Sequence, residues 1–209
     1  MLTNITQYHF DRGKPFYPIL MNYLIQIYGF YELPLRGSYK VLKGLPKNEV
    51  EESLKKTPNL EFERLFKSSP IDLPKSLALR SEFQGNSIQI DIDDIALEVL
   101  SNGGYLIPFL MRSAGNLLIL AYETTLKFHD KGPLWEFLRH CRNAAAHNGL
   151  FHFENGEPRR LAKWGKFQIE VVMHGTPLFG SKEKPGLLGP GDPIPLLWDI
   201  EQAYPNMSV

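Results

Sequence analysis

The stretch GPLWEFLRHCRNAAAHNG, residues 132–149, decides the fold because it carries the signals of one complete helix. Pro133 suits a first helical turn, since its φ is fixed and its missing N–H would be unpaired there anyway. Gly149 supplies the left-handed conformation that often follows a helix C-terminus. The apolar side chains of this helix share one face, which we expect to pack on a core: Leu134, Phe137, Leu138, Cys141, Ala144 and Ala145.

The other face of this helix carries polar residues, and we expect it to be solvated. They are Arg139, His140, Arg142, Asn143 and His147. An arginine side chain is a planar, permanently charged fork that matches two phosphate oxygens. An imidazole titrates near neutral pH, so it can donate or accept a proton. The end of the helix therefore predicts a site that grips a phosphate and moves a proton without a metal.

The run RNAAAH, residues 142–147, resembles the signature of the HEPN superfamily, in which a polar residue follows an arginine and a histidine comes a few positions later. The resemblance implies a small α-helical domain and a metal-independent endoribonuclease of a toxin, phage-defence or RNA-processing system. It implies that Arg142 binds the scissile phosphate, that His147 is the general acid/base for attack by the ribose 2′-OH, and that Asn143 orients His147. It further implies a homodimer whose two motifs face a shared cleft, which brings two copies of His147 together.

The same resemblance allows an antitoxin or another regulatory protein as a partner. Some HEPN toxins carry a tyrosine two residues after the histidine, which a nucleotidyltransferase antitoxin modifies. This chain has Gly149 at that position. The resemblance therefore does not extend to that form of regulation.

A simpler interpretation of the helix end competes with the catalytic one. A histidine in the last turn interacts favourably with the negative end of a helix, and arginines on a polar face are ordinary solvated residues. The alternative function is accordingly a non-catalytic HEPN-like module that binds RNA, a nucleotide or a protein partner. A zinc site formed by His140, Cys141, His147 and His152 is rejected, because the spacing fits no usual zinc pattern. We expect no metal and no cofactor.

The charge balance argues against a protein that coats nucleic acid in general, since 23 basic residues face 23 acidic ones. Positive charge nevertheless gathers around the motif, between Leu134 and Lys166. We predict that substrate is bound there by Arg139, His140, Arg159 and Arg160. A single cysteine, Cys141, excludes internal disulfides and is typical of a reducing cytosol, so we expect a cytoplasmic protein that does not enter a membrane.

The whole chain predicts a mainly α fold, an HEPN-like antiparallel helical bundle with a small β-hairpin and short strands. We expect one domain over residues 1–209, with 1–90 as an N-terminal helical elaboration and 94–205 as the motif-bearing core. Helices are predicted at 16–31 (largely buried), 49–56, 60–66, 102–129 (the longest) and from 193 to about 204. Strands are predicted at 87–92, 150–153 and 166–172.

Three further expectations concern the surroundings of the motif. The helix over 102–129 should pack antiparallel on the motif helix and support the site through Arg112, Asn116 or Glu123, among which periodicity cannot choose. The acidic residues Asp91, Asp93 and Asp94 are better explained by a helix N-cap than by a metal. Trp164 is expected in the core rather than as a platform for a base.

Overall fold

The elements of the chain are mainly helical and include two small antiparallel sheets, as the sequence predicts. The computed structural model describes residues 8–43, 76–81, 86–180 and 185–208. Its elements are α1 Phe16–Lys43, β1 Ser76–Ser81, β2 Asn86–Asp91, α2 Ile92–Ser101, α3 Leu106–Thr124, α4 Pro133–Ala146, β3 Ala162–Trp164, β4 Phe167–Ile169 and α5 Pro193–Ala203. The helices expected at 49–56 and 60–66 lie outside the described residues.

The chain forms two compact units, Met1–Ile27 with Ile107–Val209, and Tyr28–Leu106. The first unit holds α4, most of α3, the β3–β4 hairpin and α5. These bounds differ from the expected division at residues 90–94, because the first turns of α1 are part of the core around α4. The core residues of those turns are Phe16, Ile19, Leu20 and Tyr23.

Helix α1 is longer and less buried than the sequence predicts. It runs for 28 residues, which makes it longer than the 19-residue α3. The prediction that it is largely buried is wrong, since one narrow face enters the core and several large apolar side chains stay exposed. The exposed ones are Met21, Leu24, Ile25, Tyr28 and Tyr31. Composition alone predicted burial here, whereas the one-sided periodicity of the helix decides which residues are covered.

The smaller unit contains the β1–β2 hairpin, which pairs antiparallel from Ser76 opposite Asp91 to Ser81 opposite Asn86. Asp91 then caps α2. Its Oδ1 accepts from the backbone N–H groups of Asp93 at 2.8 Å and Asp94 at 3.1 Å. The expected N-cap is confirmed, and it satisfies two of the backbone donors that a helix start leaves unpaired.

Helices α3 and α4 pack antiparallel, as predicted. Contacts run in opposite chain order, with Glu123 of α3 bonded to Arg142 of α4, and with His129, just after α3, packed against Trp135 at 4.1 Å between ring centroids. At the other end, a Cβ placed on Gly115 would lie 3.3 Å from the Cβ of Ala145. The glycine therefore lets the two backbones approach closely beside the motif.

Helix α4 begins and ends as predicted, but it is buried on more than its apolar face. Phe137, Leu138, Cys141 and Ala144 are fully buried, which confirms the core face. His140 is only 1% exposed, so the prediction that it lies on the solvated face is wrong. The segment 153–160 covers that side of the helix, with the ring of Phe153 packed edge-on against His140.

The hairpin after the motif differs from the predicted strands. β3 pairs with β4, from Ala162 opposite Ile169 to Trp164 opposite Phe167, and residues 150–153 contribute only an isolated bridge between Leu150 and Pro177. Trp164 lies in the core as expected, and its Nε1 donates to Asp199 Oδ2 at 2.7 Å.

Candidate active site

The end of α4 turns sharply and brings the following segment back beside the motif. His147 is the cap residue, and its backbone N–H donates to the carbonyls of Asn143 at 3.0 Å and Ala144 at 3.1 Å. Asn148 and Gly149 adopt left-handed φ values of 57° and 76°. These two residues reverse the direction of the chain. The side chain of His147 is therefore exposed at the C-terminal end of α4.

The guanidinium of Arg142 is held by three neighbours at the surface between α3 and α4. Its Nε donates to Glu123 Oε1 at 2.9 Å, and its Nη2 donates to the same oxygen. Its Nη1 donates to Asn143 Oδ1 at 3.1 Å, and its Cζ lies 5.7 Å from the centroid of the Tyr122 ring. The side chain remains 32% exposed. A phosphate that binds here must therefore compete with the Glu123 carboxylate.

Asn143 has a different partner from the one that the resemblance implies. Its side-chain oxygen accepts from Arg142, and its hydrogen bond with His147 runs through the backbone. Within the described part of the chain, no side-chain hydrogen bond joins Asn143 to His147. In this geometry Asn143 positions the guanidinium, while the turn after α4 positions the imidazole.

His152 lies next to His147 and His174 lies next to His152, and we call His147, His152 and His174 the histidine cluster. The ring centroids of His147 and His152 are 5.5 Å apart, and those of His152 and His174 are 5.1 Å apart. All three residues are exposed. Sequence reasoning considered His152 as a zinc ligand, which it rejected, and as part of the positive charge around the motif, and it missed His174, which a separate turn brings to His152.

Hydrogen bonds restrict the tautomers of His152 and His174. The Nδ1 of His174 lies 3.1 Å from the backbone N–H of Phe153 and accepts from it, so the ring proton of neutral His174 is on Nε2. The Nε2 of His152 lies 3.2 Å from Glu154 Oε1. Because a carboxylate can only accept, the proton between these two groups belongs to the imidazole.

An ionic network around the buried Glu136 fixes the segment after Phe153 to α4. Arg139 donates twice to Glu136 Oε2, at 3.1 and 3.0 Å, and once to Glu157 Oε1 at 2.9 Å. Arg160 Nη1 lies 3.5 Å from Glu136 Oε1. Burial works against the charge of Arg139, but its hydrogen bonds to the two glutamates raise its pKa. The guanidinium of Arg139 is thus bound by groups of the protein itself.

His140 belongs to the same network, and it is neutral there. Its Nε2 lies 2.9 Å from Arg139 Nη2, and because arginine only donates, this nitrogen accepts. Burial, followed by the charge of Arg139, lowers the pKa of His140. Both residues were predicted to bind substrate. Since His140 is buried and Arg139 is tied to two carboxylates, their position favours holding the 153–160 segment in place.

The other two predicted substrate-binding residues are on the surface. Arg159 donates through Nη2 to the Asn155 carbonyl at 2.8 Å, and Arg160 is 54% exposed beyond its contact with Glu136. No ion pair or hydrogen bond links either arginine to the motif residues in the ranges that the structure covers. They lie at the end of the 153–160 segment, seven and eight residues after His152.

The chemistry available at the site is that of imidazole and guanidinium groups. The described residues include no group of three or more His, Cys, Asp or Glu side chains that could hold a metal ion. Cys141 is fully buried, and burial strongly raises the pKa of its thiol, so it is no nucleophile in the folded protein.

Comparison with protein-family models, with curated proteins and with solved structures finds no match. Nor is any helix in the described ranges long and apolar enough to cross a membrane. The residues that bear on function are therefore those of the motif at 142–147 and the side chains around it.

Proposed function

We propose that this protein is a metal-independent endoribonuclease of the HEPN type, which cleaves RNA by attack of the ribose 2′-OH and leaves 2′,3′-cyclic phosphate ends. The observation that carries the proposal is that the last turns of one helix carry both a part-exposed Arg142 guanidinium, held by Asn143 and Tyr122, and an exposed His147 imidazole. Cleavage by an internal hydroxyl needs positive charge on the phosphorane and proton transfer at two oxygens, and these two side-chain types supply both.

Each motif residue has a role in this proposal. Arg142 exchanges Glu123 for the scissile phosphate and stabilises the charge that develops on it, a contribution that is often the largest in catalysis. Asn143 and Tyr122 hold the guanidinium in place during that exchange. His147 transfers a proton. Arg159 and Arg160, which are both exposed, bind further phosphates of a single strand.

The wider setting belongs to the same proposal. It comprises an RNA substrate, a homodimer with the two sites facing a shared cleft, a cytoplasmic location, and a toxin, phage-defence or stress-response system with an antitoxin or regulatory partner. The second candidate is a non-catalytic HEPN-like module. The pairing of Arg142 with Glu123 favours it, since a guanidinium that stays neutralised would bind RNA weakly and cleave nothing.

The experiment is RNA cleavage by the purified protein in excess EDTA. Arg142→Ala and His147→Ala are compared with wild type and with the matched controls Arg12→Ala and His9→Ala, which replace exposed residues at the start of the chain. We expect wild type and controls to cleave, and the two motif variants to lose roughly 10²–10⁴-fold in rate. Full activity in His147→Ala would contradict the proposal, and RNA binding without cleavage by wild type would favour the second candidate.

A further inference from the structure

Two exposed imidazoles lie side by side just beyond α4, and the mechanism so far uses only one of them. The rings of His147 and His152 are 5.5 Å apart between centroids, with 36° between their planes. Their spacing in the chain is short, but they come together only because Asn148 and Gly149 reverse the backbone in left-handed conformations. The pair is therefore built by the turn and not by the helix.

Cleavage through the 2′-OH requires two proton transfers at the same phosphate. The attacking 2′-oxygen must lose a proton and the leaving 5′-oxygen must gain one, and a group that does either must approach within about 2.6–3.2 Å of its oxygen. One imidazole cannot begin the step both neutral and protonated. Rings 5.5 Å apart can each reach one of the two oxygens, which lie on opposite sides of one phosphorus.

Glu154 distinguishes the two imidazoles. Its Oε1 lies 3.2 Å from the Nε2 of His152 and accepts the ring proton there, so that neutral His152 has its lone pair on Nδ1. A carboxylate placed in this way orients the ring and stabilises the imidazolium that forms when the other nitrogen takes a proton. In the residues that the structure describes, no carboxylate is bonded to the side chain of His147.

The backbone around His152 holds this arrangement from the other side. Phe151 exchanges hydrogen bonds with the turn that carries His174, donating to the Thr176 carbonyl at 2.9 Å and accepting from Gly175 at 2.8 Å. His174 lies 5.1 Å from His152 and is neutral while its Nδ1 accepts from Phe153. The titratable groups that face His152 are thus His147 from α4, His174 from this turn and Glu154 from its own segment.

We infer that His152 is the general base of the proposed ribonuclease and that His147 is its general acid. The inference rests on the proposed function and assigns chemistry within the same site. The Nδ1 of His152 takes the proton of the 2′-OH as the bond between the 2′-oxygen and phosphorus forms. The bond from phosphorus to the 5′-oxygen breaks, and protonated His147 gives its proton to that oxygen. The products are a 2′,3′-cyclic phosphate and a 5′-hydroxyl, and exchange with water restores both rings.

With these roles for His152 and His147, a dimer is not needed to bring acid and base together. The motif alone provides one histidine in each subunit, which is why the sequence led to two copies of His147 meeting across an interface. With His152 as base, one subunit contains both proton-transfer groups. A dimer then serves to bind a longer strand rather than to complete the acid and base.

The test compares two substrates that differ in their leaving group. One is an RNA dinucleotide, and the other is uridine 3′-(4-nitrophenyl phosphate), whose phenolate leaves without a proton. On the dinucleotide, His147→Ala and His152→Ala should each lose roughly 10²–10⁴-fold in rate, while His9→Ala matches wild type. On the aryl ester, His147→Ala should regain nearly the wild-type rate, because no acid is required, and His152→Ala should stay slow.

Glu154→Gln provides a second readout, since it keeps a hydrogen-bonding group but removes the charge. We expect a smaller loss than in His152→Ala, and no further loss when the two changes are combined, because residues that act as a unit are not additive. A His152→Ala variant that cleaves both substrates like wild type overturns the inference, as does recovery on the aryl ester by His152→Ala instead of His147→Ala. If wild type cleaves neither substrate, the proposed function itself fails.

Discussion

Replacing Arg139 with methionine should destabilise the protein strongly, although this residue is not fully buried. The change removes two hydrogen bonds to Glu136, one to Glu157 and one to the buried His140. The Glu136 side chain is 4% exposed, so its charge would stay in the interior with only Arg160 nearby, at 3.5 Å. Methionine keeps most of the apolar stem, so the loss is mainly electrostatic.

The expected cost follows from burial. Removing one partner of a buried ion pair costs about 3–5 kcal/mol, because the remaining charge is left uncompensated. Arg139 and Glu157 are 24% and 25% exposed, and Arg160 still neutralises part of the charge. Solvent screening therefore lowers the expected loss to about 2–3 kcal/mol in the free energy of unfolding, measured by urea denaturation at pH 7.

Two further variants make this result specific. Arg159→Met removes an exposed arginine that bonds only a carbonyl and should change stability by no more than about 0.5 kcal/mol. Adding Glu136→Leu to Arg139→Met should recover most of the loss, since an apolar pair often replaces a buried ion pair without cost. A loss below about 1 kcal/mol in Arg139→Met, or a double variant less stable than the single one, would refute the reasoning.

Other predictions follow from groups around the site and in the core. Glu123→Gln removes the carboxylate that neutralises Arg142, so it should tighten binding of a non-cleavable 2′-methoxy RNA by roughly two- to fivefold, measured by fluorescence anisotropy. Weaker binding would contradict the proposal that phosphate replaces Glu123 at Arg142. Cys141 should react with a thiol reagent only as the protein unfolds, because burial raises its pKa, and fast reaction of the native protein would show an open core. Burial and a hydrogen bond to Asp130 raise the pKa of Tyr204 from 10.0 to about 12. Folded Tyr204 keeps a proton that the unfolded chain loses, so the free energy of unfolding should fall as pH rises from 10 to 12, and Tyr204→Phe should reduce that slope.

The sequence predicted those features whose causes lie within a few residues. Pro133 and Gly149 delimit α4, Asp91 caps α2, and Pro193 begins α5, because capping and turn chemistry act locally. The core face of α4 was predictable for the same reason, since helical periodicity sorts its side chains without knowledge of the partner surface.

The rest of the site depends on contacts between residues far apart in the chain. Periodicity could not choose among Arg112, Asn116 and Glu123 as supports, and the structure brings Glu123 to Arg142 across 19 positions. The burial of His140 depends on a segment that folds back over α4. A polar residue that a distant segment covers is indistinguishable, by sequence alone, from a solvated one.

The histidine cluster also depends on contacts that sequence alone does not reveal. His147 was identified by a motif that lies within one helix end, whereas His152 and His174 join it through a reversal of the chain and a second turn. No short pattern encodes that meeting. The signal that could have pointed to His152 is the pair Asn148-Gly149, a combination favoured in tight turns, followed three residues later by a histidine.

The most direct test of the proposed chemistry is the mass of the 5′ fragment that wild-type protein releases from a defined RNA in excess EDTA. We expect a fragment that ends in a 2′,3′-cyclic phosphate, beside a partner fragment with a 5′-hydroxyl, and neither product from His147→Ala. A fragment ending in a 3′-hydroxyl would show that the 2′-OH is not the nucleophile, and cleavage that EDTA abolishes would show that a metal is required; either result would contradict the proposed mechanism.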